Sequence, residues 1–196
     1  MIPIEKFTGG LSSIPEPEFT HEGVLSYLRS NPVDIDSLDR YLYFCEEHYT
    51  RNLIQHTALY DLIAICWDIG QRSPIHNHRD QRCWMAIAYG KVQVQNFRLL
   101  CKDPSSRYCE LEPSNHFIID AGRPAEVDPE EPIHLVANPA SFGSRAVTLH
   151  IYSRPFDTCE VYDLKGRRYE DVTLVNTTEL GVLKSELKLE KAVLAH

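Results

Sequence analysis

From Tyr49 onward the chain is a succession of short β-rich runs with no helical stretch between them, which limits it to a sandwich or a barrel. YTRNLIQH (49–56) and ALYDLIAICWD (58–68) come first, separated by little more than Thr57. RCWMAIAY and KVQVQNFRLL flank Gly90 and read as a hairpin, with Val92 and Val94 alternating in the second run. RYCELEP, HFIID, PIHLVAN and RAVTLHIYS follow, with Pro, Gly and Asn between them. CEVYDL and RRYEDVTLV enclose Lys165-Gly166 as a further hairpin. Two short helices are expected ahead of these strands, over 21–30 (Val24, Leu25, Leu28) and 34–48 (Leu38, Leu42, Cys45). Residues 1–20, with Pro3, Pro15, Pro17 and Gly9-Gly10, read as an irregular arm. The polar tail from Glu179 is compatible with a helix and equally with partial disorder.

Within this β-rich region, Gly70 to Gly90 carries the chemistry. Alternate side chains of a strand share a face, so His76 and His78 can present two imidazoles to one point. Such a pair inside a barrel suits iron, nickel, copper or zinc. A third ligand should come from a distant strand. His21, His48, His56, His116 and His196 sit in no comparable frame and read as ordinary surface or loop histidines.

Composition narrows the partners. The net charge of −8 with no basic cluster argues against nucleic acid. No apolar run approaches membrane-spanning length, and MIPIEKFTGG lacks a secretory pattern, so a cytoplasmic protein is expected. The six cysteines are scattered without a CxxC pair and read as free thiols. The 196 residues fit one domain: an arm and helical cap over 1–48, a β-barrel over 49–176 and a tail over 177–196. No heptad or long exposed apolar stripe argues against a monomer.

The frame of glycine, five residues, His-x-His, four residues, Cys83, six residues and glycine resembles the first signature of the cupin superfamily. Cys83 stands where that signature usually has glutamate, and His134 with Asn138 resembles the second signature. YTRNLI (49–54), CWDIG with SPIHNH (66–78), Cys83, PIHLV (132–136) and LHIYSRPFDTC (149–159) are together similar to the type I cysteine dioxygenases, which are cupin thiol dioxygenases. The resemblance implies an all-β cupin fold, a double-stranded β-helix or jelly-roll barrel with short N-terminal helices. It also implies oxidation of L-cysteine by dioxygen to cysteine sulfinate at an iron(II) centre.

Position by position, the resemblance implies iron held by His76, His78 and His134. Arg51 would pair with the substrate carboxylate through its planar fork, with Tyr49 in the same pocket. Tyr152 would aim its phenol at the centre, thioether-linked to Cys83 in part of the molecules and oriented by His150. Trp67 would wall the site, and Cys159 would lie near its entrance or pack as a structural thiol. Arg154 stands where these enzymes often have proline, which leaves room for a changed pocket lining. The rival readings are a dioxygenase of 3-mercaptopropionate or another small thiol, a non-catalytic cupin binding a metal or small ligand, and a zinc or manganese isomerase. Arg51 favours cysteine over mercaptopropionate, because the mercaptopropionate branch typically carries glutamine there.

Overall fold

The structure, a computed structural model, describes residues 1–184. Helix α1 (Ile4–Ser12) replaces the irregular arm expected for this segment. Ile4, Phe7 and Leu11 recur at helical spacing and are all buried. Gly10 does not break the helix. It makes room for the Tyr27 ring, which any side chain at that position would strike. Helix α2 (His21–Ser30) forms where expected, capped by Thr20 and burying Val24, Leu25 and Leu28.

The second expected helix, over 34–48, shrinks to a 3-10 segment, Ile35–Tyr41. Beyond it the carbonyls find partners outside a helix. The Thr50 hydroxyl donates to the Tyr43 carbonyl, and Gln71 Nε2 donates to the Cys45 carbonyl at 2.7 Å. Those acceptors are no longer needed for i→i+4 bonding, so the chain runs extended into the first strand.

The strands are β1 (Thr50–His56), β2 (Asp61–Trp67), β3 (Ile75–His76), β4 (Arg82–Tyr89), β5 (Lys91–Asp103) and β6 (Tyr108–Asp120). They continue with β7 (Ala125–Glu126), β8 (Ile133–Ala137), β9 (Ala146–Ser153), β10 (Thr158–Asp163), β11 (Arg168–Thr173), β12 (Thr178–Glu179) and β13 (Val182–Leu183). One sheet runs β13-β12-β1-β2-β9-β4-β7; the other, β10-β11-β6-β5-β8-β3, closes through the β3–β10 pairing. The fold is thus a β-barrel with short N-terminal helices, one of the two architectures the strand pattern allowed and the one the resemblance implied.

Three local expectations are corrected by this pairing. β4 and β5 do not form a hairpin: β4 pairs with β7 and β9, while β5 pairs with β6 and β8. The chain crosses from one sheet to the other at Gly90, whose φ of 70° and closeness to the Arg145 carbonyl leave no place for a side chain. RYCELEP and HFIID are one strand rather than two, and bulges on β5 absorb the irregularity at Pro113. The tail begins as strands β12 and β13, because β12 adds in parallel to the edge of β1. The helix reading of the remaining tail lies outside the described residues. The β10–β11 hairpin around Lys165-Gly166 forms as expected.

Two apolar clusters explain how the site is framed. Leu62, Ala64, Leu149 and Ile151 face the helical cap of Phe7, Leu11, Val24 and Leu28. Ile63, Ile65, Trp67, Cys83, Val94 and Tyr152 face the barrel interior. β2 and β9 are therefore buried on both faces, which reads as a continuous apolar run in β2. On β9 the strand period sends Val147, Leu149 and Ile151 to the cap and Thr148, His150 and Tyr152 inward. The inward row is polar, which is unusual for a position this deep.

Candidate metal centre

His76 and His134 are direct cross-strand partners on β3 and β8, and His78 follows two residues after His76. Their ring centroids lie 4.8 to 5.1 Å apart, and one ligand atom from each falls within 4.8 Å of the others. The three histidines chosen from the sequence thus come together. His76 Nδ1 donates to the Pro74 carbonyl at 3.0 Å, which leaves its Nε2 as the lone-pair nitrogen. His78 is 2% exposed, and neither of its ring nitrogens has a hydrogen-bond partner. A buried imidazole with both nitrogens orphaned is costly unless something else binds there, and a metal ion is what this cluster fits.

Electrostatics keeps the donors in the form a metal needs. Burial, and secondarily the Arg51 charge, push His76 down to about 4. His78 and His134 are pushed well below the ordinary histidine value, first by burial and then by the neighbouring imidazoles. All three are neutral at pH 7, with free lone pairs. Three neutral ligands leave a divalent charge uncompensated, so the site favours an anionic further ligand such as a thiolate.

Around the cluster, β9 supplies a hydrogen-bonded row. Trp67 Nε1 donates to Thr148 Oγ1 at 2.9 Å, Thr148 Oγ1 lies 2.8 Å from His150 Nε2, and His150 Nδ1 lies 3.2 Å from Tyr152 Oη. Burial, then Arg51 and His76, lower His150 to about 3, so it is a neutral imidazole. A neutral imidazole has one donor and one acceptor nitrogen, and so bridges the two hydroxyls in either tautomer. Burial raises Tyr152 above the usual phenol value, keeping it protonated. Thr148 escaped the reading of the sequence; its signal was its place two residues before His150 on the same strand face.

Cys83 and Tyr152 sit directly opposite each other on β4 and β9, both buried. Burial raises the Cys83 thiol, so it rests protonated. Phe156 packs edge-on against Tyr152 at 5.3 Å and against His78 at 6.1 Å. Arg154 does not line the pocket. Its guanidinium reaches out to Glu16 on the surface, and its backbone N–H donates to Gln81 Oε1 at 2.7 Å.

On the β1 side, an Arg51 guanidinium N–H lies 3.5 Å from Tyr152 Oη, with the guanidinium carbon 5.4 Å from the Tyr152 ring centre. Its Nε is buried without a partner, and among the described residues no carboxylate pairs with it. Tyr49 stacks on Trp67 at 4.8 Å beside it. Cys159 is buried on β10; burial pushes its thiol up to about 11 against the opposing pull of Arg51. It rests protonated.

The ligand segment is held from behind by a residue that the sequence did not mark. Asn77, between the two histidines, donates to Glu160 Oε2 at 2.9 Å and accepts from the Glu160 amide at 3.0 Å. Lys102 Nζ lies 2.7 Å from both Glu160 oxygens, and Tyr162 donates to Oε2 at 2.6 Å. Burial opposes ionisation of Glu160, but Lys102 and Tyr162, together with the Arg79 charge, outweigh it and hold the carboxyl below the usual glutamate value. A lowered folded-state pKa adds stability above the unfolded carboxylate value, and this is lost as pH falls through the folded one. Because Lys102 and Arg79 are partly exposed, Glu160→Gln is expected to destabilise the fold by about 1.5 kcal/mol near neutrality. Thermal melts of both proteins should converge as the solution is acidified, and a deficit unchanged by acid would refute this.

The family described as cysteine dioxygenase type I matches residues 18–165. Cysteine dioxygenase type 1 of Rattus norvegicus is 28% identical over 91% of this chain and 84% of its own length. The Homo sapiens enzyme of the same name is 27% identical over 84% of this chain and 80% of its own. Among solved structures, a double-stranded β-helix domain protein from Klebsiella pneumoniae aligns with a TM-score of 0.49 and 12% identity, covering 65% of this chain and 95% of that one.

Proposed function

Because the chain belongs to the cysteine dioxygenase type I family of cupin thiol dioxygenases, we propose that it oxidises L-cysteine with dioxygen to cysteine sulfinate, using iron(II) held by His76, His78 and His134. The observation that carries this reading is the pairing of two unmet demands in one pocket. His78 has two orphaned nitrogens, and Arg51 is a cation with a buried, unpartnered Nε. A small ligand with a thiol at one end and a carboxylate at the other answers the second demand while its sulfur reaches the ion that answers the first.

Iron(II), which His76, His78 and His134 would hold, would supply the redox chemistry of the reaction. The chain's own residues do the rest. Arg51 takes the carboxylate through charge-assisted hydrogen bonds, with Tyr49 and Trp67 closing the pocket around it. Tyr152 presents a phenol to the reacting sulfur, and His150 with Thr148 keeps that phenol oriented through their hydrogen bonds. Cys159 lines the same region as a neutral thiol. The overall change adds both oxygen atoms to the thiol sulfur, whose electrons reduce dioxygen, so no organic cofactor is required. Six free cysteines suit a reducing, cytoplasmic setting, and the chain acts as a monomer in this reading.

In this reading Cys83 and Tyr152, register partners on β4 and β9, join in a thioether, with loss of two hydrogens to dioxygen. Intact mass of protein after turnover with iron and cysteine is expected to reveal a fraction lighter by two hydrogens. Cys83→Ala should lack that fraction. Persistence of the lighter species in the variant would end the assignment.

The deciding experiment is oxygen uptake by iron(II)-reconstituted protein with L-cysteine, 3-mercaptopropionate or cysteamine, the product identified by mass. Preference for cysteine, with sulfinate as product, is expected. Preference for 3-mercaptopropionate or cysteamine would overturn the substrate. Absence of uptake with every thiol, despite bound iron, would overturn catalysis itself.

A further inference from the structure

A second set of ligand atoms gathers in the segment that leads into β1. We propose that Cys45, Glu47 and His48 form a separate metal site suited to zinc(II), sharing no ligand with the three-histidine centre. One ligand atom from each residue lies within 4.8 Å of the other two. Cys45 Sγ and His48 Nε2 are 3.8 Å apart. Zinc bonds of about 2.3 Å to sulfur and about 2.0 Å to nitrogen, at a tetrahedral angle, require a separation of roughly 3.5 Å. The pair is thus close to a bridging geometry before any ion binds.

Three features prepare the site. His48 Nδ1 lies 2.9 Å from the Tyr49 carbonyl, an acceptor only, so the proton sits on Nδ1 and the lone pair on Nε2 faces the thiol. Gln71 Nε2 bonds the Cys45 carbonyl at 2.7 Å and approaches that of Glu46 at 3.5 Å, holding the backbone between the ligands. Cys45 and His48 are partly exposed and Glu47 is exposed, which gives an ion a path in and leaves a fourth position for water.

The two sites differ in chemistry. Thiolate and carboxylate together neutralise a dication, and a thiolate favours a borderline-soft ion. The three imidazoles offer neither. His48, which read as an ordinary loop histidine in the sequence, becomes a ligand in this arrangement.

Cobalt(II) added to the iron-loaded full chain in thiol-free buffer tests the proposal. A sulfur-to-cobalt charge-transfer band in the near ultraviolet needs a cysteine ligand, which the three histidines cannot supply. The expected result is a band that saturates at one cobalt per chain and is displaced by one equivalent of zinc. It should vanish in Cys45→Ser and weaken in affinity by at least about tenfold in His48→Gln. It should persist in Cys101→Ser, which removes an exposed thiol elsewhere. It should also persist in His134→Ala, so its appearance is independent of whether the protein oxidises cysteine. No sulfur band in folded protein, or a band that survives Cys45→Ser, would overturn the site.

Discussion

Replacing His134 with alanine is expected to leave the protein folded and without iron. His134 is 3% exposed and its partner ligands are two neutral imidazoles, so the remaining pair has no anionic donor to compensate the loss. Loss of even an outer hydrogen-bond partner of a metal ligand costs about 10–100-fold in affinity. Loss of the ligand itself should exceed a hundredfold, and oxygen uptake should fall to background with it. Metal analysis after gel filtration decides the matter: a His134→Ala protein that retains one iron per chain would remove His134 from the ligand set.

Arg51→Ala should produce the second largest effect, read in KM rather than in iron content. The guanidinium has no carboxylate partner among the described residues, so the variant leaves no buried acid stranded. Its cost falls on the bound substrate. Truncating one partner of a buried charge pair costs about 2–5 kcal/mol, of which about 3 kcal/mol corresponds to roughly a hundredfold in kcat/KM for cysteine. Cysteamine, which lacks the carboxylate, should be nearly indifferent to the change. An unchanged KM for cysteine in iron-replete Arg51→Ala would assign the carboxylate to another residue.

Much of this site was legible in the sequence because it depends on strand periodicity. His76 and His78 share a face by alternation. The roles of His134, Arg51, Cys83, Tyr152 and His150 relied on family resemblance, since no local pattern ties any of them to the histidine pair, and Thr148 was missed although it stands on the same strand face as His150. Other features depend on contacts that no local pattern encodes. Helix α1 was hidden because Gly9-Gly10 looks like a break until the Tyr27 ring is seen to need the space. The helix expected over 34–48 was lost to Thr50 and Gln71, side chains that arrive from the strands. β4 and β5 looked like a hairpin because a tight glycine turn and a crossover between sheets share the same punctuation. Glu160 was missed because a lone glutamate on a strand gains its meaning only from Lys102, Tyr162 and Asn77, all brought to it by folding.

Strand β9 has Leu149 and Ile151 against the cap and His150 and Tyr152 against the metal centre, with no layer between. It acts as a party wall. One backbone thus carries both the packing surface of the cap and the phenol of the site. The N-terminal helices are then part of the catalyst's frame, although they contribute no atom to its chemistry.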